Sequence, residues 1–178
     1  MSGRRAPNPG GYACTITAAS RVPFARVLAR SFKEHHPDGR FVVLVLDDLD
    51  RHIDAAEEPY ELLVPDEIDC PEFDLLAARY DEQELAAVVT PWLLRHALAQ
   101  GAAAVTYLDP CVRLFDSLAS LQQLAVERGA ALIARCTVAI PDDGQRPTYN
   151  EAMARGPFEP GCVTLASGDQ AEQLLESW

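Results

Sequence analysis

Polar residues follow three short apolar runs of the chain, and two of these sets contain carboxylates. The sets are Ala19-Ser20 after YACTIT, Asp47-Asp48 after FVVLVL, and Asp109 after AVTYL. A carboxylate in such a position can bind a hard divalent cation, and the cation can bridge to a diphosphate. The alternative is turn formation, because Asp is frequent where a chain turns. Both interpretations stay open at this point.

The first two runs belong to a strand–helix–strand unit. YACTIT predicts a strand over Tyr12–Thr17, and residues 41–46 form a continuous apolar run typical of a strand that is covered on both faces. Between them, Pro23 suits the first turn of a helix. The helical spacing predicts that this helix buries one apolar face, formed by Phe24, Val27, Leu28 and Phe32. This order of elements indicates a parallel βαβ unit.

The rest of the chain continues the alternation of helices and strands. Short helices are predicted over residues 73–80 and 84–89, and Thr90-Pro91 predicts the start of another, with Thr90 as its N-cap and Gly101 as its stop. Further strands are predicted over residues 102–108, 131–136 and 162–166, and further helices over 117–128 and from 170 onward. We therefore expect an α/β fold, a mostly parallel, Rossmann-like sheet with helices on both faces, whose strand ends hold a ligand.

Residues 1–11 are predicted to be a disordered lead, and residues 12–178 a single domain. The last predicted helix ends on the apolar Trp178, which indicates a domain that is incomplete at its C-terminus. We therefore expect a truncated form of a longer domain.

Charge and composition exclude several functions. The formal net charge of −12, from 27 acidic and 15 basic side chains, predicts repulsion from nucleic acid and from anionic membranes. The five cysteines have no CxxC spacing, which fits free thiols in a reducing cytoplasm rather than a zinc site. No apolar run is long enough for a membrane span. His35 and His36 are expected to act as cations at a helix end.

Two segments resemble a known family. CTITAASRVPFARVLARSFKEHHPDGRFVVLVLDD resembles the opening of bacterial nucleotide-diphospho-sugar transferases with the glycosyltransferase-A fold, and TPWLLRHALAQGAAAVTYLDPCVRLFDSL resembles their central segment. In that segment, a helix beginning Lys-Pro-Trp leads to a strand ending Tyr-Leu-Asp-Pro-Asp. The wider group includes glycogenin-like enzymes. A weaker similarity continues through PDDGQRP and PFEPGCVTLASGDQAEQLLESW.

The resemblance implies a nucleotide-diphosphate sugar as the partner and Mn²⁺ or Mg²⁺ as the cofactor. It places Ala18, Ala19 and Ser20 near the nucleoside and Asp48 near the base or ribose. Asp109 corresponds to the first carboxylate of the Asp-x-Asp metal motif. The acceptor side is implied at Glu159 and Gly161, and the acceptor itself cannot be inferred.

The departures from the family fall on charged positions. Cys111 stands where the motif has its second Asp, and a thiol is a poor ligand for Mg²⁺ or Mn²⁺. Thr90 stands where the family has a lysine that meets the phosphates. Three hypotheses stay open: a glycosyltransferase with reduced activity, a catalytically inactive binding or scaffold relative, and a nonfunctional fragment of a longer enzyme.

Overall fold

The computed structural model describes residues 10–47, 53–134, 143, 145–146, 148–154 and 156–178. Its centre is a six-stranded sheet within this described part of the chain. The strands are β1 (Tyr12–Thr17), β2 (Arg40–Val45), β3 (Glu61–Leu63), β4 (Ala104–Leu108), β5 (Ala130–Ala134) and β6 (Phe158–Ala166). Their order across the sheet is β3-β2-β1-β4-β6-β5.

The first four strands of that order are parallel, and β6 is antiparallel to both of its neighbours, β4 and β5. The sheet is therefore mostly parallel, as the sequence predicts. Because β1, β2 and β4 run side by side in one direction, their carboxyl ends lie at the same edge of the sheet.

Helices cover both faces of the sheet. The helices in the described part of the chain are α1 (Val22–His35), α2 (Phe73–Arg79), α3 (Glu82–Ala99), α4 (Ala119–Arg128), α5 (Tyr149–Ala154) and α6 (Asp169–Ser177). Leu93 of α3 and Leu175 of α6 belong to one buried cluster, together with alternate residues of β1 and β2. Leu28 of α1 belongs to the cluster on the opposite face. Among the described residues, no helix has the length and apolar character needed to cross a membrane.

The predicted apolar face of α1 is partly wrong. Leu28 and Phe32 are buried, but Phe24 and Val27 are 52% and 51% exposed. The buried stripe instead includes Ala25 and Ala29, two small residues whose spacing to Leu28 and Phe32 completes the helical repeat. The prediction was wrong because it assigned the large side chains of Phe24 and Val27 to the buried face. The small side chains of Ala25 and Ala29 are buried there instead.

The predicted helix start at Thr90 is also wrong, because α3 runs without a break from Glu82 to Ala99. Asp81 is the N-cap: its carboxylate accepts hydrogen bonds from the backbone N–H groups of Gln83 and Glu84, both at 2.9 Å. The Thr90 hydroxyl donates to the Ala86 carbonyl at 2.7 Å, so it lies inside the helix. Pro91 is tolerated one residue later, although it has no N–H to donate.

The remaining helices and strands differ less from their predicted bounds, although two elements were not predicted. The predicted strand over 162–166 begins earlier, at Phe158, and the sequence prediction missed β3 and α5. The predicted strand over 131–136 is confirmed as far as Ala134, and Cys136 lies outside the described residues. The helix ends at Gly101 and Gly129 are confirmed, and both glycines have positive φ angles.

Candidate functional site

The exits of β1 and β2 are joined by a hydrogen bond. After β1 the chain makes a short 3-10 turn over Ala19–Arg21, and the Ala19 N–H donates to Asp47 Oδ1 at 2.6 Å. Asp47 directly follows the last apolar residue of the β2 run. Its carboxylate therefore fixes the turn after β1, which supports the turn interpretation for this residue. Asp48 lies outside the described residues.

The exit of β4 is a tight turn built on Asp109. The Asp109 N–H donates to the Gly161 carbonyl at 2.8 Å, and Asp109 Oδ1 accepts from the Cys111 N–H at 2.8 Å. A Cβ atom on Gly161 would lie 3.1 Å from the Asp109 Cβ. Glycine at this position therefore lets β6 run close beside Asp109.

Ser31 of α1 and His36, the residue that caps the C-terminus of α1, hold the loop that follows Asp109. Ser31 Oγ accepts from the Leu114 N–H at 3.1 Å, and His36 Nε2 accepts from the Leu118 N–H at 2.8 Å. Both side chains are buried. His36 is therefore a neutral acceptor, and its expected role as a cation at the helix end is wrong. Burial lowers the pKa of its imidazole.

A cleft of about 310 Å³ lies where these exits meet the first half of α3. Its walls are formed by the ends of β1 and β4, by one side of α3 and by the middle of β6. The lining residues are Ile16, Thr17, Arg21, Leu46, Glu82, Gln83, Ala86, Ala87, Thr90, Tyr107, Asp109, Pro110, Cys111, Pro160, Gly161 and Trp178.

Arg21 is the one cationic side chain among the described residues that line the cleft. Its Nη2 donates to Cys111 Sγ at 2.9 Å, and its Nη1 lies 3.5 Å from Glu82 Oε1. The guanidinium also lies 5.7 Å from the ring centroid of Phe24, which gives that exposed ring a role in supporting Arg21. The side chain of Arg21 is 30% exposed, so it is both anchored and accessible.

Thr90 and Tyr107 form the inner wall of the cleft. Burial, together with the nearby charge of Asp109, raises the pKa of the Tyr107 phenol. Thr90 is almost fully buried. This wall of the cleft is therefore uncharged.

Four of the residues singled out from the sequence line this one cleft: Thr90, Asp109, Cys111 and Gly161. Ala18, Ala19 and Ser20 lie in the adjacent turn but are not among the lining residues. Glu159 lies beside the cleft, where its Oε1 accepts from the Gly161 N–H at 3.2 Å. Arg21 and Glu82 were not predicted from the sequence. Arg21 is the first charged residue after β1, but its position in the sequence does not show that its side chain lies at the cleft.

The side chains at the Asp109 turn do not suit a divalent cation. One oxygen of Asp109 already accepts a backbone N–H, and Cys111 offers sulfur, which Mg²⁺ and Mn²⁺ bind poorly. The Arg21 guanidinium contacts that sulfur and would repel a metal ion. In the described part of the chain, no three His, Cys, Asp or Glu residues are grouped so that they could hold a metal.

A mostly parallel sheet with an antiparallel strand inserted beside β4, and a cleft at the strand ends, defines a glycosyltransferase-A type of fold. The crystal structure of an active-site mutant of LgtC shares this fold, with a TM-score of 0.54 and 16% sequence identity over 92% of this chain and 59% of that chain. The chain thus spans 59% of the length of the LgtC structure.

A second solved structure, the glycosyltransferase GlyE of Streptococcus pneumoniae TIGR4, matches with a TM-score of 0.48 and 12% identity over 94% of this chain and 37% of that chain. No protein-family model matches the chain, and no curated protein matches its sequence. The expected glycosyltransferase-A fold is confirmed by the structural match to LgtC.

Proposed function

We propose that this chain is a glycosyltransferase-like domain that binds a nucleotide-diphosphate sugar in the cleft. The observation that carries the proposal is the convergence of Thr90, Asp109, Cys111 and Gly161 on one cleft at the carboxyl ends of β1 and β4. Ligands of open α/β sheets bind at such strand ends. The glycosyltransferase-A fold supports a sugar nucleotide as the class of ligand.

The roles follow the positions around the cleft. The turn containing Ala18, Ala19 and Ser20 would contact the nucleoside, and Thr90 and Asp109 would lie near the diphosphate. Asp48, proposed from the resemblance to lie near the base or ribose, is outside the described residues. Glu159 and Gly161 would lie on the acceptor side.

The proposed reaction is group transfer at the anomeric carbon of the sugar. The bond from this carbon to the diphosphate oxygen breaks, and its electron pair leaves with the nucleoside diphosphate. The acceptor hydroxyl oxygen forms the new bond to this carbon, and its proton passes to the departing diphosphate or to water. Negative charge develops on the leaving diphosphate, so catalysis needs a cation there.

Reduced activity is part of the proposal. The two positions that the resemblance assigns to a metal carboxylate and a phosphate-binding lysine hold the neutral Cys111 and Thr90. The same observation favours a second candidate, a domain that binds a sugar nucleotide without transferring the sugar. Release of nucleoside diphosphate over time separates the two, because only a transferase or hydrolase generates it.

The proposed location is the cytoplasm. The cysteines in the described part of the chain, which are Cys14, Cys70, Cys111 and Cys162, are free thiols. Unpaired thiols are typical of a reducing compartment.

Titration calorimetry with UDP-sugars and GDP-sugars tests the proposal, with and without Mn²⁺. The same titrations are made on the double variant Cys111→Asp with Thr90→Lys, after circular dichroism has shown that it is folded. This variant supplies both missing features, so binding in Mn²⁺ should tighten by about 1–3 kcal/mol if charge-assisted contacts form. The single variants Cys111→Asp and Thr90→Lys are the controls, because they measure the effect of each substitution alone.

Binding of a sugar nucleotide by the unaltered chain would support the proposal, and release of nucleoside diphosphate would then favour the enzyme over the binding domain. If neither protein binds any of these sugar nucleotides, the assignment of the cleft is wrong.

A further inference from the structure

The inference concerns the cation that the diphosphate would meet, and it rests on the proposed function. In the cleft, the position that would hold the second metal carboxylate is Cys111, and the group in contact with it is the guanidinium of Arg21. The positive charge of Arg21 therefore lies beside Cys111, where the resemblance would place a divalent cation.

The contacts of Arg21 leave it able to bind a stronger acceptor. A guanidinium carries five N–H donors in a fixed plane, whereas a thiol sulfur is a weak acceptor. The second contact, to Glu82 at 3.5 Å, is a partly exposed ion pair and is worth little. Phosphate oxygens bind a guanidinium in two parallel hydrogen bonds and would displace the sulfur.

Several features direct the guanidinium toward the cleft. Arg21 ends the turn that Asp47 fixes through Ala19, so its backbone is held relative to β2. The Phe24 ring lies against the guanidinium. Cys111 is itself fixed by the bond of its N–H to Asp109. The side chain is therefore positioned before any ligand arrives, which lowers the entropy cost of binding.

We propose that the cleft binds the diphosphate of a nucleotide without a divalent metal, with Arg21 as the phosphate-binding cation. Glu82 opposes this binding, because it competes for Arg21 and adds a negative charge to the cleft. Removing each charge in turn should therefore change the affinity in opposite directions.

The experiment is titration calorimetry with UDP and with pyrophosphate, first in EDTA and then in Mn²⁺. Arg21→Gln is compared with Arg95→Gln, because Arg95 is a similarly exposed arginine that pairs with Glu172 outside the cleft. Glu82→Gln is compared with Glu172→Gln in the same way. Thermal unfolding of every variant checks that the fold is retained.

We expect the unaltered chain to bind UDP in EDTA. Arg21→Gln should weaken this binding by about 10- to 100-fold, and Arg95→Gln should leave it unchanged. Glu82→Gln should tighten it by about two- to fivefold, since a partly exposed ion pair is lost. Pyrophosphate should respond to the variants in the same directions, because Arg21 contacts the phosphates.

Three results would overturn the inference while leaving the proposed function standing. They are binding of UDP that EDTA abolishes, binding that Arg21→Gln and Arg95→Gln affect equally, and binding that Glu82→Gln weakens, as it would if Glu82 were a metal ligand. If UDP and the sugar nucleotides do not bind under either condition, the proposed function and this inference both fail.

Discussion

His36 connects the end of α1 to the loop beyond the candidate site. Its Nε2 accepts the Leu118 N–H at 2.8 Å, so the proton of the neutral ring resides on Nδ1, which lies 3.2 Å from the Gly10 carbonyl. The ring also stacks on Phe32, with 4.7 Å between centroids. Only this tautomer satisfies both backbone groups, and a protonated ring would present a donor to another donor.

Protonation of His36 should destabilise the fold. Burial lowers the pKa of His36 in the folded chain, whereas in the unfolded chain it is about 6.5. The unfolded state therefore binds the proton first as pH falls, and the free energy of unfolding should decrease below about pH 6.5, by at most about 1.4 kcal/mol per pH unit from this group. Urea unfolding between pH 7.5 and 5.5 measures this slope.

The matched variants are His36→Gln and His35→Gln. His35 is the neighbouring residue at the end of α1 and makes no described contact with the loop that starts at Leu114. We expect His36→Gln to lower stability and to flatten the pH dependence, while His35→Gln keeps the slope of the unaltered chain. An unchanged slope in His36→Gln would mean that another group is responsible.

Part of the cleft lining could be predicted from the sequence. Asp109 follows a predicted strand, and Thr90, Cys111 and Gly161 stand at positions where the resembled family has a recognisable residue. Arg21 was not found, since the direction of its side chain depends on the turn held by Asp47, which is a contact between residues distant in sequence. The burial of His36 likewise depends on a loop more than 70 residues later.

Local patterns predicted some elements correctly and misplaced others. The bounds of β1 were predicted correctly because residues 12–17 are rich in aromatic and β-branched side chains, which are typical of strands. The antiparallel direction of β6 could not be read from the sequence, because an apolar strand does not reveal the direction of its partners. The start of α3 was misplaced because Thr90-Pro91 imitates an N-terminal signal, while the real cap lies nine residues earlier at Asp81.

The orientation of α1 can be tested by comparing substitutions at two neighbouring residues, Leu28 and Val27. Leu28 is completely buried against the sheet, and Val27, its neighbour in sequence, is half exposed. Leu28→Ala should lower the free energy of unfolding by about 2–5 kcal/mol, because it leaves a cavity in the core. Val27→Ala should change it by less than about 0.5 kcal/mol. Denaturant unfolding followed by circular dichroism measures both.

Equal losses of stability in the two variants would contradict the orientation of α1. A larger loss in Val27→Ala would instead support the face that the spacing of the large apolar residues predicts. The two residues are adjacent in the same helix, and the gain in helix propensity on substitution by Ala is less than about 1 kcal/mol at either position, smaller than the loss expected at Leu28.

At the scale of the whole molecule, the charge opposes the proposed ligand. The chain has a net charge of −12, and a nucleoside diphosphate is also an anion. The proposed binding therefore combines a favourable contact at Arg21 with repulsion from the rest of the protein. These two contributions differ in range: the contact acts over a hydrogen-bond distance, whereas the repulsion acts over the dimensions of the molecule.

This difference in range predicts how salt affects the rate of association. Raising the ionic strength from about 0.01 M to about 0.15 M shortens the Debye length from about 30 Å to about 8 Å, which screens the distant acidic charges more than the contact at Arg21. The association rate of UDP should therefore rise by about two- to tenfold. Stopped-flow tryptophan fluorescence can follow it, because Trp178 lines the cleft. Uridine, which has no phosphate, is the matched control, and its rate should not depend on salt. A UDP rate that falls with salt would mean that Arg21, rather than the net charge of the molecule, controls the encounter.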